Sequence, residues 1–289
     1  MNSEAWSRHS KSYNAPSGQS QTLPMVQSAF DAQWFAKLDK FIADRNSPLR
    51  VLLLACGTGA EVEVLCGRYS KQQMTILATD FATGMVEATK SCSERVGKQD
   101  MVEARVMDAM YFLSLVLMLM PDPSRVFKEI QRVLIPGGFS AYLTPGRMQI
   151  HDIFNQARKE ILTECNRESE FISFYDSAMM TNWGTPEALQ HQLLSAHFIN
   201  VECETVKSNQ IYERGAQVDE MLDRLFDNPG VSQMYTNGLP DQEAKKLLNK
   251  VRAAFHKQYP AMQGTSPATP YLTANAGCGC KPSVDENSL

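Results

Sequence analysis

The segment Arg50-Val51-Leu52-Leu53-Leu54-Ala55 runs directly into Cys56-Gly57-Thr58-Gly59 and then into Ala60–Tyr69, which carries Val62, Val64 and Leu65 inward. A short continuous apolar run is expected of a strand buried on both faces of a parallel sheet. Two glycines just beyond it let the backbone turn tightly and approach a ligand closely. The helix that follows offers free N–H groups and a positive dipole end. In open α/β sheets, ligands sit outside the carboxyl ends of the strands. One segment thus predicts both the class of fold and the place of a binding site.

The alternation continues. Met74–Thr79 reads as a second strand ended by Asp80, Gly84–Glu94 as a helix, and Val102–Met107 as a third strand ended by Asp108. Ser124–Leu134 has helical spacing and stops at Pro136-Gly137-Gly138; Phe139–Thr144 is the next strand. The pattern predicts an α/β fold, a Rossmann-like doubly wound and mostly parallel sheet. A helix from Gln149 interrupts it, and Trp183–Ala196 is entered through Thr185-Pro186-Glu187, a cap followed by proline at the first helical position. Phe198–Val206 and Tyr271–Lys281 read as the last strands. Residues 1–24, rich in Ser, Gln and Asn, are expected to form an N-terminal arm or lid. Residues 25–289 form the main domain, with helical insertions at about 149–182 and 212–262. Within it, Met25–Ala43 is helical, with Val26, Phe30, Trp34, Leu38 and Phe41 at three- and four-residue steps.

With 289 residues, 43% of them hydrophobic, the chain is long enough to bury a large core unaided. The net charge of −4 argues against nucleic acid as a partner, since phosphate neutralisation needs a basic footprint. Seven cysteines in no framework spacing read as free thiols in a reducing compartment. The longest apolar run, Tyr111–Met120, is far below the roughly 20 residues that span a bilayer. The polar N-terminus lacks the apolar core of a signal peptide. A cytoplasmic protein without a membrane span is expected.

The glycine turn narrows the ligand. A dinucleotide fingerprint needs a third glycine where Val62 stands, and the run Gly-Lys-Ser/Thr of a phosphate-cradling loop is absent. A nucleoside-type ligand remains. Asp80, about 20 residues beyond the turn, is placed to accept bonds from ribose hydroxyls. Asp108 can accept from an adenine amino group, and Ala109 can offer a backbone N–H to a ring nitrogen. Phe81 and Met85 suit the faces of the base. Each residue has a plainer reading alone: tight turn, helix cap, core. The ordered set at successive strand ends is what carries the site.

Val51 to Gly59 resembles motif I of the class I S-adenosylmethionine-dependent methyltransferases. Thr79-Asp80-Phe81-Ala82-Thr83-Gly84-Met85 resembles their second motif, and Val106-Met107-Asp108-Ala109 their third. Pro121-Asp122-Pro123 and Phe127 to Gly138 are similar to the helix and turn before the fifth strand. The closest flavour is the small-molecule branch, similar to quinone-biosynthesis and fungal secondary-metabolite methyltransferases. The resemblance implies a seven-strand sheet with its fourth-strand region shortened, and S-adenosylmethionine as cofactor. Ala55, Cys56, Gly57, Thr58 and Gly59 would shape the methionine end of its site. Asp80 would hold ribose, Asp108 and Ala109 adenine, with Phe81 and Met85 packing the base. The family usually carries an acidic residue where Leu53 stands, so amino-group recognition falls to backbone carbonyls near Ala55. Between Asp108 and the Pro-Asp-Pro segment roughly a dozen residues are missing by comparison with ordinary α/β connections plus a central strand. Tyr111–Met118 is left to supply a shortened fourth strand.

Methyl transfer from a sulfonium is an in-line displacement governed by positioning and desolvation. A general base is needed only for a poorly ionised acceptor. His151, after the fifth strand, and His9 and Tyr13, in the arm, are the candidates; their plainer readings are a partly exposed surface histidine and a tail. No metal is expected, because Cys278-Gly279-Cys280 lacks a second ligand pair and reads as alternation on a terminal strand. The expected partner is a small apolar or aromatic methyl acceptor, chosen by lid helices. A reading from another class is a degenerate member of the fold, acting by protein–protein contact with weak or no catalysis.

Overall fold

The apolar run at residue 50 becomes β1 (Leu49–Leu54), the edge of a three-stranded parallel sheet with β2 (Met74–Asp80) and β3 (Val102–Val106) in the order β1-β2-β3. The computed structural model describes residues 3–13, 16–107, 122–209, 219, 222–223, 235–236, 238–259 and 270–283. In the register, Val51 faces Ile76 and Ile76 faces Val102, so one set of side chains stacks across all three strands. That set, with Leu53, Met74, Ala78 and Ala104, joins a core closed by helices. The opposite face, with Arg50, Leu52, Thr75, Leu77, Glu103 and Arg105, lines an open cleft, and Leu52 is 37% exposed. Burial of β1 on both faces, expected from its apolar run, is therefore corrected: among the described residues, one face is covered.

The second sheet is antiparallel, in the order β4-β6-β5, with β4 (Phe139–Met148), β5 (Ile199–Asn209) and β6 (Tyr271–Cys280). The expected single seven-strand sheet is corrected by this topology: among the described residues, two three-stranded sheets stand side by side and no pairing joins β1 to β4. The sequence reason is the short stretch between β3 and α6 (Pro123–Val133), residues 107–122, of which 108–121 lie outside the described residues. The shortened fourth strand expected at Tyr111–Met118 lies outside the described residues.

One helical layer holds the two sheets together. It starts at α2 (Pro16–Ala29), passes through a π-helical turn (Phe30–Trp34) and ends in α3 (Phe35–Ala43). Val26, Phe30, Trp34 and Leu38 pack in one core with Leu49 and Val51 of β1 and with Leu143, Leu272 and Ala276 of the second sheet. Gln33 buries its amide between the two, donating to the Ala276 carbonyl at 3.1 Å. Helices α4 (Ala60–Arg68) and α5 (Thr83–Arg95) complete this layer against β1–β3.

On the other face of the antiparallel sheet lie α6, α8 (Ala178–Trp183) and α9 (Pro186–Ser195). Asp122 caps α6, accepting from the Arg125 N–H at 3.2 Å, and Thr185 caps α9, accepting from the Ala188 N–H at 3.1 Å, with Pro186 at the first helical position. Trp183 ends α8 instead of opening α9. Phe127 stands at the centre of this layer, its ring 5.6 Å from Tyr142, 6.1 Å from Phe198 and 6.2 Å from Trp183. A third cluster forms between α7 (Gln149–Glu164) and α10 (Asp241–Gln258), where Phe154, Ile161, Phe174, Tyr235 and Phe255 meet. Among the described residues, no helix is long and apolar enough to cross a membrane.

Candidate functional site

At the carboxyl end of β1 the chain makes three left-handed steps: Ala55 at φ 53°, Gly57 at φ 52° and Gly59 at φ 90°. The glycines adopt this without cost; alanine does so at roughly 1–2 kcal/mol, a strain that concentrates at ligand-binding turns. The surroundings of the two glycines differ. A side chain on Gly59 would meet Cys92 Cβ at 3.2 Å and Thr89 Cα at 3.3 Å, so this glycine permits close packing of α4 on α5. A Cβ on Gly57 would meet nothing within 4 Å, so the backbone there borders open space.

Asp80 ends β2 beside this turn. Its Oδ2 accepts the Gly57 N–H at 3.0 Å, and its Oδ1 accepts the Ala82 N–H at 2.9 Å. The side chain is 4% exposed, and burial raises its pKa against the lowering effect of the backbone N–H groups of Ala82, Gly57 and Phe81. A carboxylate oxygen accepts more than one bond, so Asp80 locks the turn and keeps acceptor capacity for hydroxyl donors. On the far side, Thr89 of α5 donates from Oγ1 to the Gly57 carbonyl at 2.9 Å. The Cys56 sulfur lies 3.3 Å from the same hydroxyl. Burial pushes the Cys56 thiol up to about 12, which leaves it protonated at neutral pH. Sequence reasoning missed Thr89. Its signal was a polar β-branched residue at an inward position of a helix whose other inward residues are Met85, Val86, Ala88 and Cys92.

Met85 is buried on α5 and Phe81 is half-buried in the turn before it. Asp108 and Ala109 lie outside the described residues. Leu53 is half-buried against the core, and its carbonyl accepts from Thr79 Oγ1 at 3.1 Å. The first turn of α4 brings Glu61, which is 8% exposed, beside the turn.

The open space at Gly57, the carboxylate at the end of β2 and the first N–H groups of α4 suit the neutral, hydroxyl-rich end of a nucleoside. Helix α1 (Ser3–Tyr13) packs across the start of α5: Gly84 N–H donates to Ser7 Oγ at 3.2 Å, and a Cβ on Gly84 would lie 2.5 Å from the Ser7 carbonyl oxygen. The arm thus reaches residue 84, four positions after Asp80. His9 and Tyr13 sit on α1, but their side chains lie outside the described residues.

His151 departs from the partly exposed surface position expected of it. It is 5% exposed, with its ring 4.0 Å from Phe174, 5.8 Å from Tyr235 and 6.1 Å from Tyr175. Its Nδ1 has no hydrogen-bond partner among the described residues. Burial pushes its pKa down to about 3, so it stays neutral at physiological pH and is a weak base. A histidine that titrates near 6.5 when unfolded and near 3 when folded binds more protons unfolded between those values. Stability therefore falls as pH drops through this window. Replacing His151 by Phe should remove that slope. Urea unfolding at pH 7 and pH 5 should show the wild type losing about 2 kcal/mol more than the variant. Equal losses would place His151 in contact with water.

Cys278 and Cys280 alternate on β6; Cys278 is buried and donates to Gln33 Oε1 at 3.1 Å. Among the described residues, no three His, Cys, Asp or Glu side chains are placed to hold a metal.

Residues 52–142 match the family described as methyltransferase domain. No curated protein matches the chain in sequence. Solved structures align over most of it at low identity. A methyltransferase candidate from Bacillus halodurans is 16% identical, covering 86% of this chain and 98% of its own, with a TM-score of 0.46. Phosphoethanolamine N-methyltransferase 2 of Haemonchus contortus, solved with S-adenosyl-L-methionine, is 14% identical over 94% of this chain and 60% of its own, at 0.44. Geranyl diphosphate C-methyltransferase from Streptomyces coelicolor is 11% identical over 86% and 80%, at 0.39.

Proposed function

We propose that this chain, whose residues 52–142 match the family described as methyltransferase domain, transfers a methyl group from S-adenosylmethionine to a small apolar or aromatic acceptor. The observation that supports this reading is the left-handed turn at Gly57, open in front and tied from behind to the Asp80 carboxylate. When bound, the cofactor supplies an electrophilic methyl on a positively charged sulfur with a good leaving group. The protein's part is to bind, orient and exclude water. Gly57 and Gly59 present backbone to the methionine end. Asp80 accepts from ribose, and Phe81 and Met85 flank the base. Asp108 and Ala109 complete the adenine contacts in this reading. Residues 1–24 act as a lid, with α1 seated at Gly84. The helices of 149–182 and 212–262 close over the acceptor and choose it by apolar fit. His151 serves that fit as a neutral, buried ring; His9 and Tyr13 are the remaining candidates for a base. Secondary metabolism in the cytoplasm is the setting this reading favours.

The test is thermal unfolding with S-adenosylmethionine, S-adenosylhomocysteine and, as control, reduced NADP. At one hundred times its dissociation constant a ligand adds about 2.7 kcal/mol. For a chain of this size that is a rise of roughly 5–10 °C. A rise with the S-adenosyl ligands alone supports the reading and justifies an acceptor screen. A cooperative transition that no S-adenosyl ligand moves would transfer support to the second reading, a degenerate methyltransferase fold acting by protein contact. The observation in its favour is that, among the described residues, one edge of β1, the strand that carries the turn, has no pairing partner.

A further inference from the structure

Helix α5 begins without a cap of its own. Its N-cap residue is Ala82, whose side chain carries no acceptor, so the first N–H groups of the helix take their partners from elsewhere. Asp80 Oδ1 holds the N–H of Ala82 itself at 2.9 Å. Ser7 Oγ, 77 residues away on α1, holds the N–H of Gly84 at 3.2 Å. Ser7 thus does across space what a serine at the N-cap does in sequence. Gly84 is fitted to this contact. A Cβ there would lie 2.5 Å from the Ser7 carbonyl oxygen, 2.6 Å from Ser10 Oγ and 2.9 Å from Ser7 Cα. Gly84 is not among the residues with positive φ, so its backbone does not call for glycine, and within a helix glycine is less favourable than alanine. What calls for it is the approach of α1. Ser10 closes the contact: it is 6% exposed, and its Oγ donates to the Ser7 carbonyl at 2.8 Å.

The seat of the arm is tied to the Gly57 turn by two routes. At the start of α5, the two oxygens of Asp80 join the Ala82 N–H to the Gly57 N–H. Further along the same helix, Thr89 Oγ1 holds the Gly57 carbonyl at 2.9 Å. Both polar groups of the Gly57 backbone are therefore anchored to α5 or to the residue that leads into it. Helix ends fray, and an end without a cap frays more readily. Fraying at Ala82–Gly84 would slacken the hold of Asp80 on the turn. It would also free Met85, the residue next to Gly84. The arm caps the helix at the place from which the turn is held.

We propose that α1 is a latch on the nucleoside site, with Ser7 and Gly84 as positioning residues that touch no ligand and steady the Gly57 turn through α5. The proposal rests on the reading of that turn as the S-adenosylmethionine site. A ligand that engages Asp80 and Gly57 steadies the start of α5 and so favours the seated arm. By linkage, the seated arm strengthens ligand binding by the same factor. Seating is read in the full chain by trypsin, which cuts after Arg8 and Lys11 of α1 when the helix leaves its seat and opens. Mass spectrometry follows the released N-terminal peptides, and calorimetry gives the affinity for S-adenosylhomocysteine. Saturating S-adenosylhomocysteine should slow cleavage of the wild type about fivefold, the effect of one helix cap. Gly84→Ala improves the helix and ejects the arm. It should be cut at least about tenfold faster, with no protection by ligand, and bind about fivefold more weakly. Its ligand-free thermal transition should stay cooperative. Ser7→Ala leaves α5 untouched and should move cleavage and affinity in the same direction by smaller factors; Ser7→Thr, which keeps the hydroxyl, should restore them. The factor of protection in the wild type should match the factor of affinity lost in Gly84→Ala, an agreement that a merely structural contact does not produce. Binding of S-adenosylhomocysteine with unchanged cleavage overturns the latch and leaves the cofactor reading standing. Wild-type cleavage or wild-type affinity in both Gly84→Ala and Ser7→Ala does the same. Absence of binding to the wild type overturns the cofactor reading, and the latch with it.

Discussion

Asp80→Ala is expected to weaken S-adenosylmethionine binding about 30- to 150-fold, equivalent to about 2–3 kcal/mol for hydrogen bonds made to a charged group. Two losses add up in this variant. In the proposed function the ribose acceptor disappears, and the Gly57 N–H, now held at 3.0 Å by Oδ2, loses its partner, so the turn proposed to border the cofactor loosens. Asp80→Asn separates the two. The amide keeps the volume and one acceptor oxygen, which can hold the Ala82 N–H, but it carries no charge. Burial already raises the Asp80 pKa, so ionising it in place is costly. Stability without ligand should therefore change by less than about 1 kcal/mol in Asp80→Asn while affinity still falls. Calorimetric titration of both variants, with urea unfolding of the ligand-free proteins, gives the two quantities. Wild-type affinity in Asp80→Ala would remove this residue from the site.

What was legible in the sequence was local or periodic. The glycine turn could be placed because only certain residues reverse a buried strand so tightly, and Asp80 because it closes an apolar run that pairs in register with β1. The cap at Thr185 was readable for the same reason, whereas the cap at Asp122 came from the structure. The left-handed conformation at Ala55 was not, because alanine gives no sign that its backbone is held there by neighbours. The burial of His151 depends on Phe174, Tyr175 and Tyr235, which come from 23 to 84 residues away and converge only through tertiary packing. The short connection after Asp108 was visible as a count of residues. What accompanies it among the described residues, two separate sheets with Leu52 and Leu77 lining an open cleft, needed the structure, because a leucine run looks alike whether one face or two is covered.

That split makes a second large effect expected. Phe127→Ala should lower stability by about 3–5 kcal/mol, the usual range for deleting a buried aromatic ring, and lower Tm by roughly 10 °C. The ring is 2% exposed and touches Tyr142, Trp183 and Phe198, so it ties α6, α8 and the entry to β5 onto β4. Its removal leaves a cavity on one side of the antiparallel sheet only. Among the described residues no ladder of hydrogen bonds links that sheet to β1–β3; the two communicate through the helical core of Val26, Phe30 and Trp34. Proteins open in cooperative units that follow such boundaries. Amide exchange in the variant should therefore accelerate in β4, β5 and β6 by the full destabilisation and much less in β1 and β2. Equal acceleration in both sheets would show that the α2–α3 layer alone couples them into one folding unit.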